Sequence, residues 1–388
     1  MPTLGDYIKI KHGYAFKGDY ITSEDNGIVL VTPGNFEIGG GFKERKCKFF
    51  SGNYPNEYVL KPNDLIVSMT DLSKQGDTLG YSARVPKSER IYLHNQRIGL
   101  VDVFNPAADK DYIYWFMRTA HYQKTIVATA SGSTVKHTSP SRICAVEIDL
   151  PSIDEQRKIA ALLSSLEAKM RINDRINDNL QQQAAALFSS LYDQSNTEVR
   201  FTDLIQILGG GTPKTGENTY WNGNIAFFTP KDVGAPYTLI TEKTITEEGL
   251  SHCNSRLYPV NTVFVTARGT VGKVGMSGVP MAMNQSCYAL AGKETHQLLV
   301  YFYTLKAVDR LKYKASGAVF DAITTRDFES EQIMKLSDDD AKAFLRVAEP
   351  MFQEVLNNNI ENLRLSTLRD SLLPKLMSGE VDVSAVQL

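Results

Sequence analysis

No apolar run in this 388-residue sequence approaches the ~18 residues that would suggest a membrane span. The opening MPTLGDYIKI has neither a basic n-region nor an apolar h-region, so no secretory signal is expected and a cytoplasmic protein is. Cysteine is scarce: Cys47, Cys144, Cys253 and Cys287 form no C-x-x-C pair and have no His at ligand spacing, which argues against a disulfide framework and a zinc site. The six His form no H-x-x-x-H or H-E-x-x-H motif. GTVGK (Gly269 to Lys273) lacks the spacing of a phosphate loop and precedes a strand pattern, and GGGTPKTG (Gly209 to Gly216) has no Lys-Ser/Thr pair opening a helix. With no catalytic constellation, no enzyme activity, metal or cofactor is expected of this chain. Charge of one sign is also missing, since the formal net charge is −2. Residues 1–150 and 196–337 sum to +3 and segments 154–195 and 338–388 to −5, which permits local basic patches in the first two.

What is present is one unit written twice, in a length that fits two domains. VTPGNF (Val31 to Phe36) recurs as FTPKDV (Phe228 to Val233), and KPNDLIVSMT (Lys61 to Thr70) as YPVNTVFVTARG (Tyr258 to Gly269). LGYS (Leu79 to Ser82) recurs as VGKVG (Val271 to Gly275), HNQR (His94 to Arg97) as MNQS (Met283 to Ser286), and ASGSTVKHTSPSR (Ala130 to Arg142) as ASGAVFDAITTRD (Ala315 to Asp327). The offset drifts from 197 to 185, as loops of different length require. Within each half, short β-branched runs such as LIVSMT and VFVTA, bounded by Gly, Asn and Pro, predict strands of a mostly β domain. DKDYIYWFMRTAHYQKTI (Asp109 to Ile126) and HQLLVYFYTLKAVDRLKY (His296 to Tyr313) have helical spacing, and their aromatics are expected in the core.

Each half ends in a long helix, with Asp154 and Asp338 expected as N-caps. Ile159, Leu163, Leu166, Met170, Asn173, Asn177, Leu180, Ala184, Leu187 and Leu191 step by four and three, a heptad seam. The second helix offers Phe352, Leu356, Ile360 and Leu363, then Leu368, Leu372 and Leu376 after a phase shift. Two seams in one chain can pair, with Asn173 and Asn177 fixing register at a cost in stability, or else drifting to face solvent. The expected class is thus α+β: two mostly β domains with small helices, separated by two long α-helices whose seams can pair as a coiled coil, with a pseudo-twofold repeat. The expected segments are 1–152, 153–195, 196–337 and 338–388.

Polar side chains able to read base edges gather beside Gly in the repeated loops. In the first half they are Lys11, His12, Lys17, Gln96, Arg97, Lys136 and His137; in the second, Lys214, Tyr220, Trp221, Lys231, Arg268 and Lys273. The Asn-Gln pairs Asn95–Gln96 and Asn284–Gln285 occur in both copies, which suits a structural loop anchor better than a base contact.

GGGTPKTGENTYWNGNIAFFTPKDV, TARGTVGKVGM, MNQS, DLPSIDEQRKIAALLSSLEAKM and LRDSLLPKLMSGEVDV together resemble the specificity (S) subunit of type I restriction-modification systems. The resemblance implies that each globular unit is a target recognition domain reading one half of a bipartite double-stranded DNA target. It implies that the long helices pack as an antiparallel coiled coil, set the gap between half-sites and dock two methyltransferase (M) subunits, with restriction/translocase (R) subunits completing the complex. S-adenosylmethionine, ATP and Mg then belong to the partner subunits. Thr212 and Thr270, inside the matched motifs, join the expected DNA contacts. The first copy reads LGDYIKIKHGYAFKGDYI and lacks the Gly-Thr-Pro and Trp of the second, so contacts at Thr212 and Trp221 do not transfer to it. The alternative is a two-domain, coiled-coil-spaced binder of sugar or protein ligands.

Overall fold

The structure is a computed structural model that describes residues 1–73, 75–234, 236–314 and 322–383. The chain divides into two compact units, Met1–Ala168 with Leu365–Leu388, and Lys169–Arg364, so each long helix lends one part to each unit.

In the first unit a four-stranded antiparallel sheet runs in the order Ile8–His12, Ile98–Val103, Leu65–Ser68, Ser82–Arg84. The second unit repeats that order with Ile205–Gly209, Cys287–Gly292, Val263–Thr266 and Val274–Ser277, and adds Tyr237–Thr238 at the edge. Successive strand side chains point to opposite faces. Leu65 and Val67 therefore enter a core with Tyr112, Trp115 and Ile143, while Ile66 enters another with Val29, Val31, Phe49 and Tyr92. Val263 and Val265 likewise face the helices, and Phe264 faces Phe228, Tyr258 and Met281. Burial on both faces explains why these strands read as continuous apolar runs instead of alternating ones. The second sheet of each unit contains a parallel pair: Ile28–Val31 with Ile91–His94, and Trp221–Phe228 with Met281–Met283.

The helical stretch at Asp109–Ile126 is two helices, Lys110–Phe116 and Ala120–Ala128, because Thr119 turns out of the helix and its hydroxyl accepts from the Tyr122 N–H. Its counterpart is a single helix, Gln297–Lys314. Most aromatics of both are core residues, as expected: Tyr112, Tyr114, Trp115, Tyr122, Tyr301, Phe302 and Tyr303 are buried, while Phe116 is half-buried and Tyr313, in the last turn of its helix, is exposed.

The long helices are Ile153–Gln194 and Asp338–Met377. Their caps are one or two residues earlier than expected. The Ser152 hydroxyl accepts from the Glu155 N–H at 3.4 Å while Glu155 accepts from the Ser152 N–H at 3.0 Å, and Ser337 accepts from the Asp340 N–H at 3.1 Å. Both are Ser-x-x-acid caps, and Asp154 and Asp338 occupy the first turn, where a carboxylate favours the helix dipole.

In the first unit Ile159 and Leu163 share a core with Leu373 and Leu376. In the second, Ala184, Phe188 and Tyr192 meet Phe344, Phe352, Val355 and Leu356. Asn173 and Asn177 are buried, not solvent-facing. The Asn173 amide donates to Glu361 at 2.7 Å and Asn362 at 2.9 Å, Asn177 donates to Asn359 at 2.9 Å, and Asn358 donates to Asn177 at 2.9 Å. Rising numbers on one helix meet falling numbers on the other, so this pairing is antiparallel. Leu166, Met170, Leu180, Leu187, Ile360, Leu363 and Leu372 are half-buried. Strict heptad counting drifts against a 3.6-residue helix, and Phe188 and Tyr192 take the buried places beside Leu187 and Leu191. Leu368 departs from the expected seam: it is 46% exposed, and the last turns bury Leu373 together with the expected Leu376, while Leu372 is half-buried.

One buried ion pair ties the first long helix to its globular partner within the first unit. Arg118, 5% exposed, donates to Glu167 at 2.7 Å and to the Gly39 carbonyl at 2.8 Å, and its guanidinium lies 4.4 Å from the Trp115 ring centroid.

Candidate nucleic-acid interface

In each unit the loop after the first strand, the turn that holds the Asn-Gln pair and the turn after the apolar strand Leu65–Ser68 or Val263–Thr266 are joined by backbone hydrogen bonds, and three of these bonds occur in both copies. Tyr14 N–H donates to the His94 carbonyl at 2.8 Å as Gly211 N–H does to Met283 at 3.0 Å. Met69 donates to Arg97 at 2.9 Å as Ala267 does to Ser286 at 2.8 Å, and Thr138 donates to Met69 at 3.0 Å as Ile323 does to Ala267 at 2.9 Å. The repeated ASG segment spans Ala315 to Asp327, of which residues 315–321 lie outside the described residues.

Two glycines make the approach possible. A Cβ at Gly13 would lie 2.1 Å from the Asn95 carbonyl oxygen, and one at Gly210 would lie 2.2 Å from that of Asn284. Asn95 and Asn284 then close the same turn, accepting from the Arg97 and Ser286 N–H groups at 3.0 Å each. The Asn of each Asn-Gln pair is thus a loop anchor. Beneath the first anchor His94 is 1% exposed; burial lowers its pKa, and Nε2 lies 2.8 Å from the Ile98 carbonyl, which fixes Nε2 as the donor of a neutral ring.

Among the first-half residues, Lys11, His12, Lys17, Gln96, Arg97 and His137 are exposed and Lys136 is half-buried. Lys11 Nζ lies 4.7 Å from the Tyr58 ring centroid. Lys136 and His137 form a short strand on Thr70–Asp71, which brings them beside the Met69–Arg97 junction. Asp71 organises that loop by accepting from Ser73 N–H at 2.6 Å and from the Thr78 hydroxyl at 2.7 Å.

In the second half Arg268, Thr270 and Lys273 are exposed on one turn after Val263–Thr266, and the Thr270 hydroxyl donates to the Pro230 carbonyl at 3.2 Å, beside Lys231. Thr212 donates to Gln285, which joins the Gly-rich loop to the turn at Asn284. Tyr220 and Trp221 are more structural than expected: Tyr220 stacks on His252 at 4.9 Å, while Trp221 packs edge-on against Phe227 and donates to the Lys214 carbonyl at 3.2 Å. Lys231 is paired with Glu242 at 3.5 Å, an exposed pair of little strength. Among the described residues Lys214, Arg268 and Lys273 have no carboxylate partner, so their charges face outward uncompensated. No group of three or more His, Cys, Asp or Glu side chains among the described residues could hold a metal ion, and no described helix is long and apolar enough to cross a membrane.

A family model described as the type I restriction modification DNA specificity domain matches residues 1–182 and again 194–335. The chain is 21% identical, over an alignment of 454 residues, to the HindI type I restriction enzyme specificity subunit of Haemophilus influenzae, covering 89% of this chain and 99% of that one. It is 22% identical over 299 residues to the MjaIX type I restriction enzyme specificity subunit of Methanocaldococcus jannaschii, covering 70% of this chain and 69% of the relative. The crystal structure of a type I restriction-modification system S subunit from M. genitalium superposes with a TM-score of 0.61 at 16% identity, covering 96% of this chain and 94% of that chain, which shows a shared fold. With both halves matched and the same sheet and loop clamp built twice, the chain belongs to the type I restriction-modification DNA specificity family.

Proposed function

We propose that this chain is the non-catalytic DNA-recognition subunit of a type I restriction-modification complex, in which each globular domain reads one half of a bipartite double-stranded target. The observation that carries the reading is the duplicated loop cluster: two copies of one fold hold different side chains on the same clamp, as two different half-sites require. Residues 1–152 and 196–337 are the reading domains, and the helical segments 153–195 and 338–388 set the gap and dock two methyltransferase subunits. S-adenosylmethionine, ATP and Mg act on the methyltransferase and translocase partners, in the cytoplasm. The matched relatives give no support to the sugar- or protein-binding alternative.

Within this reading Arg268, Lys273 and Lys214 supply charge to phosphates or guanine edges, and Thr212, Thr270, Tyr220, Trp221 and Lys231 shape the second-half loops around them. Lys11, His12, Lys17, Gln96, Arg97, Lys136 and His137 form the first-half surface. DNA binding by the chain assembled with its methyltransferase subunits, measured across a salt series, tests the reading. Phosphate contacts release counterions, so log K falls linearly with log salt. Binding that ignores salt and sequence contradicts it.

A further inference from the structure

Resting on that reading, we infer that Tyr14, which the motif pattern does not single out, is a base-reading residue of the first half-site and packs its ring on a thymine C5-methyl group. Tyr14 is 41% exposed, yet it is held from below. Its ring meets Phe16 edge-on at 5.1 Å and tilts against Tyr58 at 5.2 Å, and Phe16 in turn packs on Phe50 at 4.9 Å. The backbone is fixed as firmly: Tyr14 N–H donates to His94, its carbonyl accepts from Gln96 N–H at 2.9 Å, and the neighbouring Gly13 tolerates no Cβ against Asn95. An exposed aromatic is thereby pre-positioned beside the exposed side chains of Gln96 and Arg97, at the clamp where the loops converge.

The second copy shows that the clamp does not need this ring. Gly211 occupies the equivalent backbone position, donating to Met283 as Tyr14 donates to His94, and it is buried without a side chain. A residue required only to hold the fold would be wanted in both copies. A residue that reads sequence must differ between them. The ring carries no charge, so it adds nothing to phosphate neutralisation. Its apolar edge suits the thymine methyl group, the one apolar feature of the major groove.

The test uses the full complex with its methyltransferase subunits. Sites methylated in genomic DNA are mapped for the wild type, Tyr14→Phe and Tyr14→Ala, and binding is measured on target duplexes in which thymines are replaced by uracil one at a time. The wild type and Tyr14→Phe should lose about fourfold in affinity when one thymine of the first half-site lacks its methyl, the worth of one buried methyl group. Tyr14→Ala should bind both duplexes equally and accept other bases at that position, with the second half-site and the salt slope unchanged. Should Tyr14→Ala lower the unfolding temperature, Tyr14→Leu, which keeps an apolar side chain over Phe16, carries the same comparison with altered base preference as the expected result. Unchanged stringency in Tyr14→Ala and Tyr14→Leu, equal weakening of Tyr14→Ala on every sequence, or indifference of the wild type to every uracil overturns the inference. Sequence-specific, salt-dependent binding by the wild type in the same assay leaves the recognition reading standing.

Discussion

Replacing Glu167 by Ala removes the carboxylate paired with Arg118 and leaves a guanidinium whose side chain is 3% exposed without that counter-charge. Breaking a buried pair from one side costs about 3–5 kcal/mol. Arg118 would keep the Gly39 carbonyl at 2.8 Å and the Tyr114 hydroxyl as acceptors, so the lower end, about 3 kcal/mol, applies here. The chain's two tryptophans fall one in each unit, and Trp115, fully buried and donating to Ser164 at 3.0 Å, lies beside the pair. Urea unfolding followed by fluorescence in a Trp221→Phe background therefore reports on the first unit alone. With an m-value of about 2 kcal/mol/M, the midpoint should fall by about 1.5 M in Glu167→Ala. Glu167→Gln, which keeps an acceptor but not the charge, should fall by about half as much. A shift below about 0.5 M in Glu167→Ala would match an exposed pair and refute the argument that this contact is a buried tie between helix and domain.

Changing Arg268 and Lys273 together to Ala should weaken binding on all sequences and reduce the slope of log K against log salt by about 2, since each phosphate contact contributes about 0.9; unchanged affinity at several salt concentrations would move both residues to a structural role. Inserting four residues after Asn179 adds roughly 6 Å and about one helical turn, so both half-sites should still be read across a longer gap, and methylated sites that keep their original spacing would deny the helices the role of ruler. Gly13→Ala and Gly210→Ala place a Cβ at 2.1 and 2.2 Å from the Asn95 and Asn284 carbonyl oxygens, so each should impair its own half-site only; normal reading by either would show that the clamp yields. Burial by itself would raise the Asp71 carboxyl, but hydrogen bonds from Thr78 and Ser73 outweigh it and lower the pKa. Its contribution to stability is therefore present above the ordinary Asp value near pH ~3.9 and lost as pH falls through the lowered one, and Asp71→Asn should flatten the acid limb of the stability profile.

The duplication and the two seams were readable in the sequence because both rest on local chemistry: Gly, Asn and Pro punctuate the strands, and apolar residues recur at helical steps. The parts that were not readable depend on contacts far apart in the chain. Nothing near Arg118 announces Glu167, and Tyr14 looks like any aromatic in a loop until Gly211 is seen to take its place in the second copy. Other departures had a local signal that competed with a stronger one. Ser152 followed by Glu155 is a capping pair, but Asp154 next to it is as good a cap by residue type. Adding Leu368 to the seam needs a phase shift after Leu363, yet the buried Phe352 and Val355 are followed by Leu373 and Leu376 at whole multiples of seven, so the seam runs on without a shift and Leu368 faces outward.

The most direct test of the central claim is a methylation map of genomic DNA from cells carrying this chain with its methyltransferase subunits, compared with cells lacking the chain. Two short specific sequences separated by a fixed, unspecific gap should be methylated only when the chain is present, and exchanging residues 196–337 for the corresponding domain of a relative with a different target should change one of the two sequences and leave the other intact. A continuous target, methylation that does not depend on the chain, or an exchange that alters both sequences at once would contradict the reading of one half-site by each domain.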